Sequence, residues 1–313
     1  MSSLHLQGLP EKDRKPATVK VLSQWIRHAA DLAGETHSRV EWIVISTIVI
    51  AALQRASGPD GAPLFLLKGG VYLEHRLGLG SRATKDVDTL FRGSLDDFLV
   101  KLDEALAEPW DGLDLRRTEI EKIENTARIV APRRFNVIVS MKGRTFRKIQ
   151  VEVAFPEGDI DKHVDMIPAP QFNFFGLQSV AEIAGIALAY QVAQKIHACS
   201  DSHSDERPNL RVRDIVDLVL LRRYFYSEPV PAELSELRRA AEDIFLARAE
   251  EAAELGMAER PWPPRIETNE LWEVEFPRPA SEVGLQISLA QALAEVTEWV
   301  TAIAESDLRD DAV

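Results

Sequence analysis

The chain has 313 residues, which is enough for one large domain or two ordinary ones. Hydrophobic residues make up 45% of it and charged residues 28%, which suits a globular protein with a sizeable core and excludes fibrous and membrane-embedded classes. The formal net charge of −13 argues against a surface that binds nucleic acid all over, although it allows a local basic site.

The cysteine content and the N-terminal segment indicate the compartment. A single cysteine, Cys199, allows no internal disulfide, which is typical of proteins in a reducing environment. Residues 1–15 are polar and lack the apolar segment of a signal peptide. The longest apolar run, residues 40–53, is shorter than the ~20 residues that a membrane span requires. We therefore expect a cytoplasmic protein.

Hydrophobic periodicity predicts alternating helices and strands in the first part of the chain. Apolar residues at helical spacing or in short buried runs, with glycine and N-cap signals between them, predict the elements in chain order. They are helices over 17–32 and 40–53, a strand over 64–67, a helix over 71–77, a strand over 86–91 and a helix from Ser94 to residue 106. The second helix is apolar on most faces and is expected to be buried.

Strand patterns come next and helical patterns follow them. The predicted strands cover 128–131, 135–140 and 146–155, with Lys142-Gly143-Arg144 as a hairpin turn. The predicted helices cover 179–198 and 210–226, then a stretch after Pro231, and finally 285–303. This order predicts an α+β fold in two lobes. Residues 1–175 would form two N-terminal helices and a mixed β-sheet, and residues 176–313 an all-helical lobe.

Two glycines and three acidic residues carry the pattern of phosphate chemistry. Gly69 and Gly70 stand between a strand and a helix, where backbone N–H groups approach phosphate closely and the helix dipole favours it. Asp86 and Asp88 are two residues apart on a strand, so both face the same side and can share a hard cation such as Mg²⁺. Glu152, on a later strand, supplies a third carboxylate. Three acids around two metal ions fit nucleotidyl transfer.

Each of these features has an ordinary explanation when it stands alone. An Asp-x-Asp pair is common in so acidic a chain, a Gly-Gly pair is usually a turn, and Glu152 could face solvent. The ordered set of strand, glycine turn, helix, acidic strand and later acid is what favours a site. A rival pattern, His197, Cys199 and His203, has the spacing of zinc ligands but no evident fourth ligand.

A family resemblance rests on the same residues. Lys68-Gly69-Gly70, followed by Arg82-Ala83-Thr84-Lys85-Asp86-Val87-Asp88, resembles the signature of the AbiEii/AbiGii nucleotidyltransferase toxins, which include the MenT toxins. These toxins belong to the DNA polymerase β-like nucleotidyltransferase superfamily. Gln194-Lys195-Ile196-His197-Ala198 resembles the family's helical lysine motif, and Arg213-Asp214-Ile215-Val216-Asp217-Leu218 resembles its downstream aspartate motif. The resemblance extends over about residues 64–220.

The resemblance implies a polymerase β-like first lobe and a toxin that uses Mg²⁺ and an NTP, either CTP or another. The toxin would add nucleotides to the 3′ acceptor end of tRNA, which blocks aminoacylation and translation. It would also have a cognate antitoxin encoded nearby, with no DNA or membrane partner. The roles implied are metal ligands at Asp86, Asp88 and Glu152, nucleotide contacts at Lys68, Gly69, Gly70, Arg82, Thr84 and Lys195, and an aspartate, Asp214 or Asp217, that holds the lysine or the base. Glu152 departs from the pattern, because aspartate is commoner there.

Several alternatives remain open on the residues alone. Lys195 lies on an otherwise apolar helix, where a lysine can simply extend to the surface, and Arg213 with Asp217 can form a helix-surface ion pair. Basic residues at Arg133-Arg134, 142–148 and 207–213 would guide an RNA substrate. The acidic net charge instead favours a protein or small-molecule hydroxyl as acceptor. A non-catalytic binding module on the same fold is a third alternative.

Overall fold

The structure is a computed structural model that describes residues 10–78, 83–124, 128–201 and 208–307. The chain forms two compact units. The first comprises Met1–Asn125, Val130–Pro156 and Val164–Ile186, and the second comprises Thr126–Ile129, Glu157–His163 and Ala187–Val313. The two units therefore alternate along the chain instead of following one another.

A mixed sheet forms the centre of the first unit. Its strands are β1 (Phe65–Lys68), β2 (Asp86–Phe91), β3 (Asp114–Arg117), β4 (Glu121–Lys122), β5 (Arg133–Met141), β6 (Arg144–Ala154), β7 (Val164–Pro168) and β8 (Glu182–Ile186). The order is β3-β5-β6-β2-β1-β8-β7, with β4 paired to β5. The pairs β2–β6 and β1–β8 are parallel and the other pairs are antiparallel. The predicted mixed sheet is confirmed.

Four helices accompany this sheet: α1 (Val19–Ala33), α2 (His37–Leu53), α3 (Gly69–Leu77) and α4 (Phe98–Ala107). The hydroxyls of Thr18 and Thr36 accept hydrogen bonds from the first turns of α1 and α2, which fixes where these helices begin. Gly34, with a φ of 67°, ends α1 in the left-handed conformation. Every residue of α2 from Trp42 to Leu53 is buried, as its uniform hydrophobicity predicts.

Side chains alternate between a covered and a polar face along the central strands. Val87, Phe135 and Val151 are at most 1% exposed on the covered face. The same side holds an aromatic cluster, in which the ring centroids of Phe91 and Phe98 of α4 lie 5.2 Å apart. The opposite face of β2, β5 and β6 carries half-buried polar residues. The sheet is therefore a one-sided support for polar side chains.

The second unit is mainly helical. Its helices are α5 (Leu188–Cys199), α6 (Val212–Phe225), α7 (Pro231–Glu254), α8 (Glu270–Glu275), α9 (Pro277–Glu282) and α10 (Leu289–Glu305). Fully buried Trp272 and Trp299 are among the largest core side chains, and the Trp272 indole donates to the Asn209 carbonyl at 2.6 Å. The carboxylate of buried Glu157 pairs with both Arg128 and Arg248. The expected helical C-terminal region is present.

Two predicted elements are wrong. The helix expected over 179–198 is divided into strand β8 and helix α5, because a short run of buried apolar residues fits either period. Since β8 belongs to the first unit, that unit continues beyond residue 175, where the sequence analysis places the lobe boundary. Residues 128–131 form no strand: Ile129 and Val130 are exposed, and Arg128 pairs with Glu157 in the second unit.

Among the described residues, none of the helices is by itself both long and apolar enough to span a membrane. Helices α1 and α2 pass that test only as a pair, with a bend of 119° between them.

Buried His197 should make the stability of the protein depend on pH. Burial, together with nearby Arg260 and Arg248, lowers the pKa of His197 to about 3, so the imidazole stays neutral in the folded chain while the unfolded chain binds a proton below about pH 6.5. Stability should therefore fall as the pH drops from 7 to 5. We expect His197→Phe, which preserves the packing against Phe245, to flatten this slope by up to about 1.4 kcal/mol per pH unit. Urea unfolding of the wild type and of His197→Phe at several pH values measures this slope. Equal slopes in the two proteins would contradict a neutral, buried His197.

Candidate active site

A row of four charged residues crosses the polar face of the sheet. Lys68 of β1 is opposite Asp88 of β2, Asp88 is opposite Glu152 of β6, and Glu152 is opposite Arg134 of β5. Residues in register on neighbouring strands point to the same face. Two acids are thus flanked by two bases, so the charges in the row offset one another.

A second row lies beside the first. Asp86, two residues before Asp88, is opposite Gln150, which is opposite Asn136. Asp86 and Asp88 are both half-buried on one face of β2. The structure therefore brings Asp86, Asp88 and Glu152 together on adjacent strands.

Glu152 is held by two neighbours on this face. Its Oε1 accepts hydrogen bonds from Nε and Nη2 of Arg134, at 2.9 and 2.7 Å, and from the Gln150 amide at 3.2 Å. These are charge-assisted bonds that fix the position of the carboxylate. Arg134, which the sequence analysis assigns to RNA guidance, therefore has a second role in anchoring Glu152.

Gly69 begins α3 directly against Asp88. Its φ is +69°, and a Cβ there would overlap the Asp88 carboxylate, lying 2.8 Å from Cγ. Glycine is therefore required both by the backbone conformation and by the close approach. Lys68 occupies the N-cap position, and a lysine side chain cannot accept hydrogen bonds from the first amides of α3. This helix start, with buried Gly70 as its second residue, is suited to an anionic group.

The two remaining nucleotide contacts predicted in the first unit are Thr84 and Arg82. Thr84 lies just before β2, and its hydroxyl donates to Oε2 of Glu74 at 3.2 Å. Glu74 is a buried residue of α3 that the sequence analysis did not single out. Arg82 lies outside the described residues.

Lys195 belongs to the second unit, where it is buried between two aspartates. Its Nζ donates to Asp214 Oδ1 and to Asp217 Oδ2, both at 2.7 Å. The alternative in which the lysine extends to the surface is wrong, since Lys195 is 7% exposed. Both aspartates accept hydrogen bonds from the lysine, so this contact does not single out one of them. Asp217 is almost fully buried whereas Arg213 is exposed, which argues against their surface ion pair.

The rival zinc pattern finds no support in the described residues. His197 is buried against the ring of Phe245, and Cys199 donates its thiol to the Arg211 carbonyl. Burial also raises the pKa of the Cys199 thiol, which disfavours the thiolate that zinc binds. His203 lies outside the described part of the chain.

The acidic residues fit a hard divalent cation in part. Asp86 and Asp88 offer carboxylate oxygens from one strand face, which is the ligand type that Mg²⁺ prefers. Glu152 is next to them, but its Oε1 is taken up by Arg134. Within the described ranges, no three His, Cys, Asp or Glu side chains are already arranged around a common centre. The pair of aspartates is therefore the part of the site that fits the ion directly.

Strand alternation divides the predicted basic residues between the two faces. Arg147 pairs with Glu41 of α2, and Arg133 lies over the ring of Phe155, so both point to the covered face. Lys148 of β6 and Arg116 of β3 lie on the acidic face, on either side of Ile138, and both are exposed. The sequence analysis does not assign Arg116 to the site. Because side chains alternate between the two faces along β3, Arg116 points to the acidic face, near the site.

Comparison with known proteins is consistent with this geometry. Residues 51–298 match the model of the nucleotidyl transferase AbiEii toxin family, of type IV toxin–antitoxin systems. The chain belongs to this family. MenT4, a nucleotidyltransferase toxin from Mycobacterium tuberculosis H37Rv, is a structural neighbour with 16% sequence identity and a TM-score of 0.55. The match covers 93% of this chain and 90% of that one, so the two share a fold. A comparison with curated proteins gives no match.

Membership of the family makes the chain a nucleotidyltransferase toxin of the kind that is paired with an antitoxin. The segment that matches the family includes the glycine turn, both acidic strands and the helix with Lys195. Both compact units therefore contribute to the family match.

Replacement of Gly69 by alanine should damage the site in two ways. The added Cβ would push on the Asp88 carboxylate, and the positive φ costs about 1–2 kcal/mol for any residue with a side chain. We expect nucleotidyl transfer to fall by at least about tenfold, on the scale of a misplaced reacting group.

A matched control separates the two effects. Gly112 has a φ of +87° and open space where a Cβ would stand. Gly112→Ala should therefore lower the unfolding free energy by a similar amount and leave transfer unchanged. Equal activities of the two variants would show that Gly69 is not close to the reacting groups.

Proposed function

We propose that this protein is a Mg²⁺-dependent toxin that transfers a nucleoside monophosphate from an NTP to the 3′ acceptor end of tRNA. The observation that supports this best is the pairing of Asp88 with Glu152 on parallel strands, with Asp86 on the same face and the Gly69 turn in contact with Asp88. A triphosphate and a divalent cation need such a combination of carboxylates and helix amides. Transfer to the acceptor end would block aminoacylation and translation.

In this proposal Asp86 and Asp88 are the metal ligands, and Glu152 is the third acid beside them. A divalent cation in this position would neutralise charge on the phosphates and lower the pKa of the acceptor hydroxyl. Arg134 keeps Glu152 in place and offsets part of the negative charge of the three acids. The family assignment supports a divalent cation in general, and the oxygen-only ligand set favours Mg²⁺.

The nucleotide would be bound by the groups at the start of α3 and before β2. The first amides of α3, at Gly69 and Gly70, bind the triphosphate, with Lys68, Arg82 and Thr84 as further contacts. Lys195, fixed by Asp214 and Asp217, neutralises phosphate charge. These two aspartates act through the lysine.

The reaction is an in-line displacement at the α-phosphorus. The acceptor hydroxyl oxygen forms a bond to phosphorus, the bond to the bridging oxygen of the β-phosphate breaks, and pyrophosphate leaves. The hydroxyl proton passes to Asp88 or Glu152. The first amides of α3 would stabilise the charge on the leaving pyrophosphate.

The RNA would cross the polar sheet face beside the acids. Lys148 and Arg116 are exposed there, and Asn136 and Gln150 offer neutral hydrogen-bonding groups between them and Asp86. This local basic surface reconciles an RNA substrate with a net charge of −13. Arg133 and Arg147 are unsuited to the same task, because they point to the covered face.

Loss of either Asp86 or Lys195 should abolish labelling of tRNA. We expect Asp86→Ala and Lys195→Ala to lower transfer from a labelled NTP by about 10²–10³, the scale of a lost charge-stabilising group. Asp96→Ala, which removes an exposed carboxylate before α4, should remain as active as the wild type. Parallel incubations of the wild type with total tRNA, with protein and with small alcohols identify the acceptor. Label only in protein or in the alcohols would replace the tRNA proposal, and equal labelling by Asp86→Ala would exclude its catalytic role.

Charge reversal on the polar face should weaken RNA binding specifically. We expect Lys148→Glu and Arg116→Glu to raise the KM for tRNA and leave the KM for NTP unchanged. Each lost phosphate contact should also reduce the slope of log K against log salt by about 0.7–0.9. Lys101→Glu is the control, since Lys101 has the same charge but lies on α4, which packs on the covered face. An equal effect of all three variants would indicate only a general charge effect.

A further inference from the structure

A buried carboxylate connects the glycine-turn helix to the segment in front of Asp86. Glu74 lies in the middle of α3 and is 4% exposed. Its Oε2 accepts hydrogen bonds from the Trp42 indole at 3.1 Å and from the Thr84 hydroxyl at 3.2 Å, and its Oε1 lies 3.9 Å from Arg39. One side chain thus contacts α2, α3 and the entry to β2.

Burial of a carboxylate is costly unless hydrogen bonds compensate for its lost hydration. A leucine at this position would fill the space between α2 and α3 without that cost, so packing alone does not account for a glutamate. The two groups that donate hydrogen bonds to Oε2 lie in different parts of the fold. Trp42 belongs to the core helix α2, whereas Thr84 is two residues from Asp86.

The bond to Thr84 joins the middle of α3 to the residues just before β2. Helix α3 begins at Gly69, which contacts Asp88, and ends at Leu77. Thr84 then leads directly into β2, which carries both aspartates. A fixed distance between Glu74 and Thr84 therefore fixes the start of β2 relative to the helix whose first amides would bind the triphosphate in the function proposed above.

We infer that Glu74 is a positioning residue for nucleotidyl transfer, which holds Thr84, and through it Asp86, against helix α3. This role rests on the function proposed above for Asp86 and adds a residue outside the site itself. Glu74 acts through an acceptor oxygen, and its charge is secondary. It follows that loss of the acceptor oxygen should disturb Asp86, whereas loss of the charge alone should be tolerated.

The test compares Glu74→Leu with Glu74→Gln. Leucine removes both hydrogen bonds, and glutamine keeps an acceptor oxygen of the same reach. Glu74→Leu should lower kcat by about 10- to 100-fold, the scale of a displaced reacting group. Glu74→Gln should recover most of the loss. Equal impairment of the two variants would contradict the positioning role.

Trp42→Phe is the matched control, because it deletes the other hydrogen bond to the same Oε2 atom. It should lower the unfolding temperature and leave kcat near the wild-type value. A loss of kcat in Trp42→Phe as large as in Glu74→Leu would mean that any damage around Glu74 has the same effect, and would overturn the inference.

A double-mutant cycle tests whether Glu74 acts through Thr84. Thr84→Val and Glu74→Leu should each impair transfer, and the double variant should be no worse than the poorer single variant. Independent, multiplying losses would show that Glu74 acts by another route. If Glu74→Leu folds poorly, Glu74→Met, which also lacks an acceptor oxygen, takes its place in the cycle with Thr84→Val.

A second readout does not depend on turnover. Calorimetric titration of Mn²⁺ into each variant measures its affinity for the ion. Compared with the wild type, Mn²⁺ should bind more weakly to Glu74→Leu and Thr84→Val and equally well to Trp42→Phe. Unchanged Mn²⁺ affinity in Glu74→Leu would contradict the inference. If the wild type binds Mn²⁺ but labels no tRNA, the acceptor proposal fails while the Mn²⁺ comparison still tests Glu74.

Discussion

The parallel pairing of β2 with β6 is the constraint on which the proposed site depends. It places Asp88 beside Glu152 and Asp86 beside Gln150, although more than fifty residues lie between the two strands in the chain. Because side chains alternate along a strand, a slip of one residue would turn Glu152 toward the covered face and bring Val151 or Val153 to the acids. The buried valines on both strands oppose such a slip, so the hydrophobic core determines which carboxylates meet.

Asp88 and Glu152, which lie on neighbouring strands, repel one another, and the structure compensates for this within the same row. Lys68 and Arg134 flank Asp88 and Glu152 on the outer sides, so the four residues in register sum to no net charge. Arg134 is suited to this because its guanidinium directs two N–H groups at one oxygen. In the second unit, the Lys195 ammonium is likewise buried against opposite charges, although there it has two carboxylates as partners.

Local sequence patterns were sufficient to predict some elements of the fold and insufficient to predict others. The Asp-x-Asp strand, the glycine turn and the β5–β6 hairpin could be predicted because spacing and turn residues specify them locally. Strand β8 could not, since the buried run from Ile183 to Ala187 suits a strand or a helix until its partner β7 is known. The bond from Arg134 to Glu152 and the contact of Glu74 with Thr84 depend on register and on tertiary packing. For the same reason, the separation of Arg133 from Arg134 onto opposite faces appears only once the strand is assigned.

The interleaved path of the chain also determines where the protein can be divided. The second unit takes Glu157–His163 from between two strands of the first, and Glu157 there holds Arg128 and Arg248. No single cut in the gene separates the two units, because each is assembled from segments on both sides of any breakpoint near residue 160. A recombination event that exchanged one half would divide the Glu157 cluster. The sheet and the helical unit are therefore not expected to fold as two halves of the chain that are produced separately.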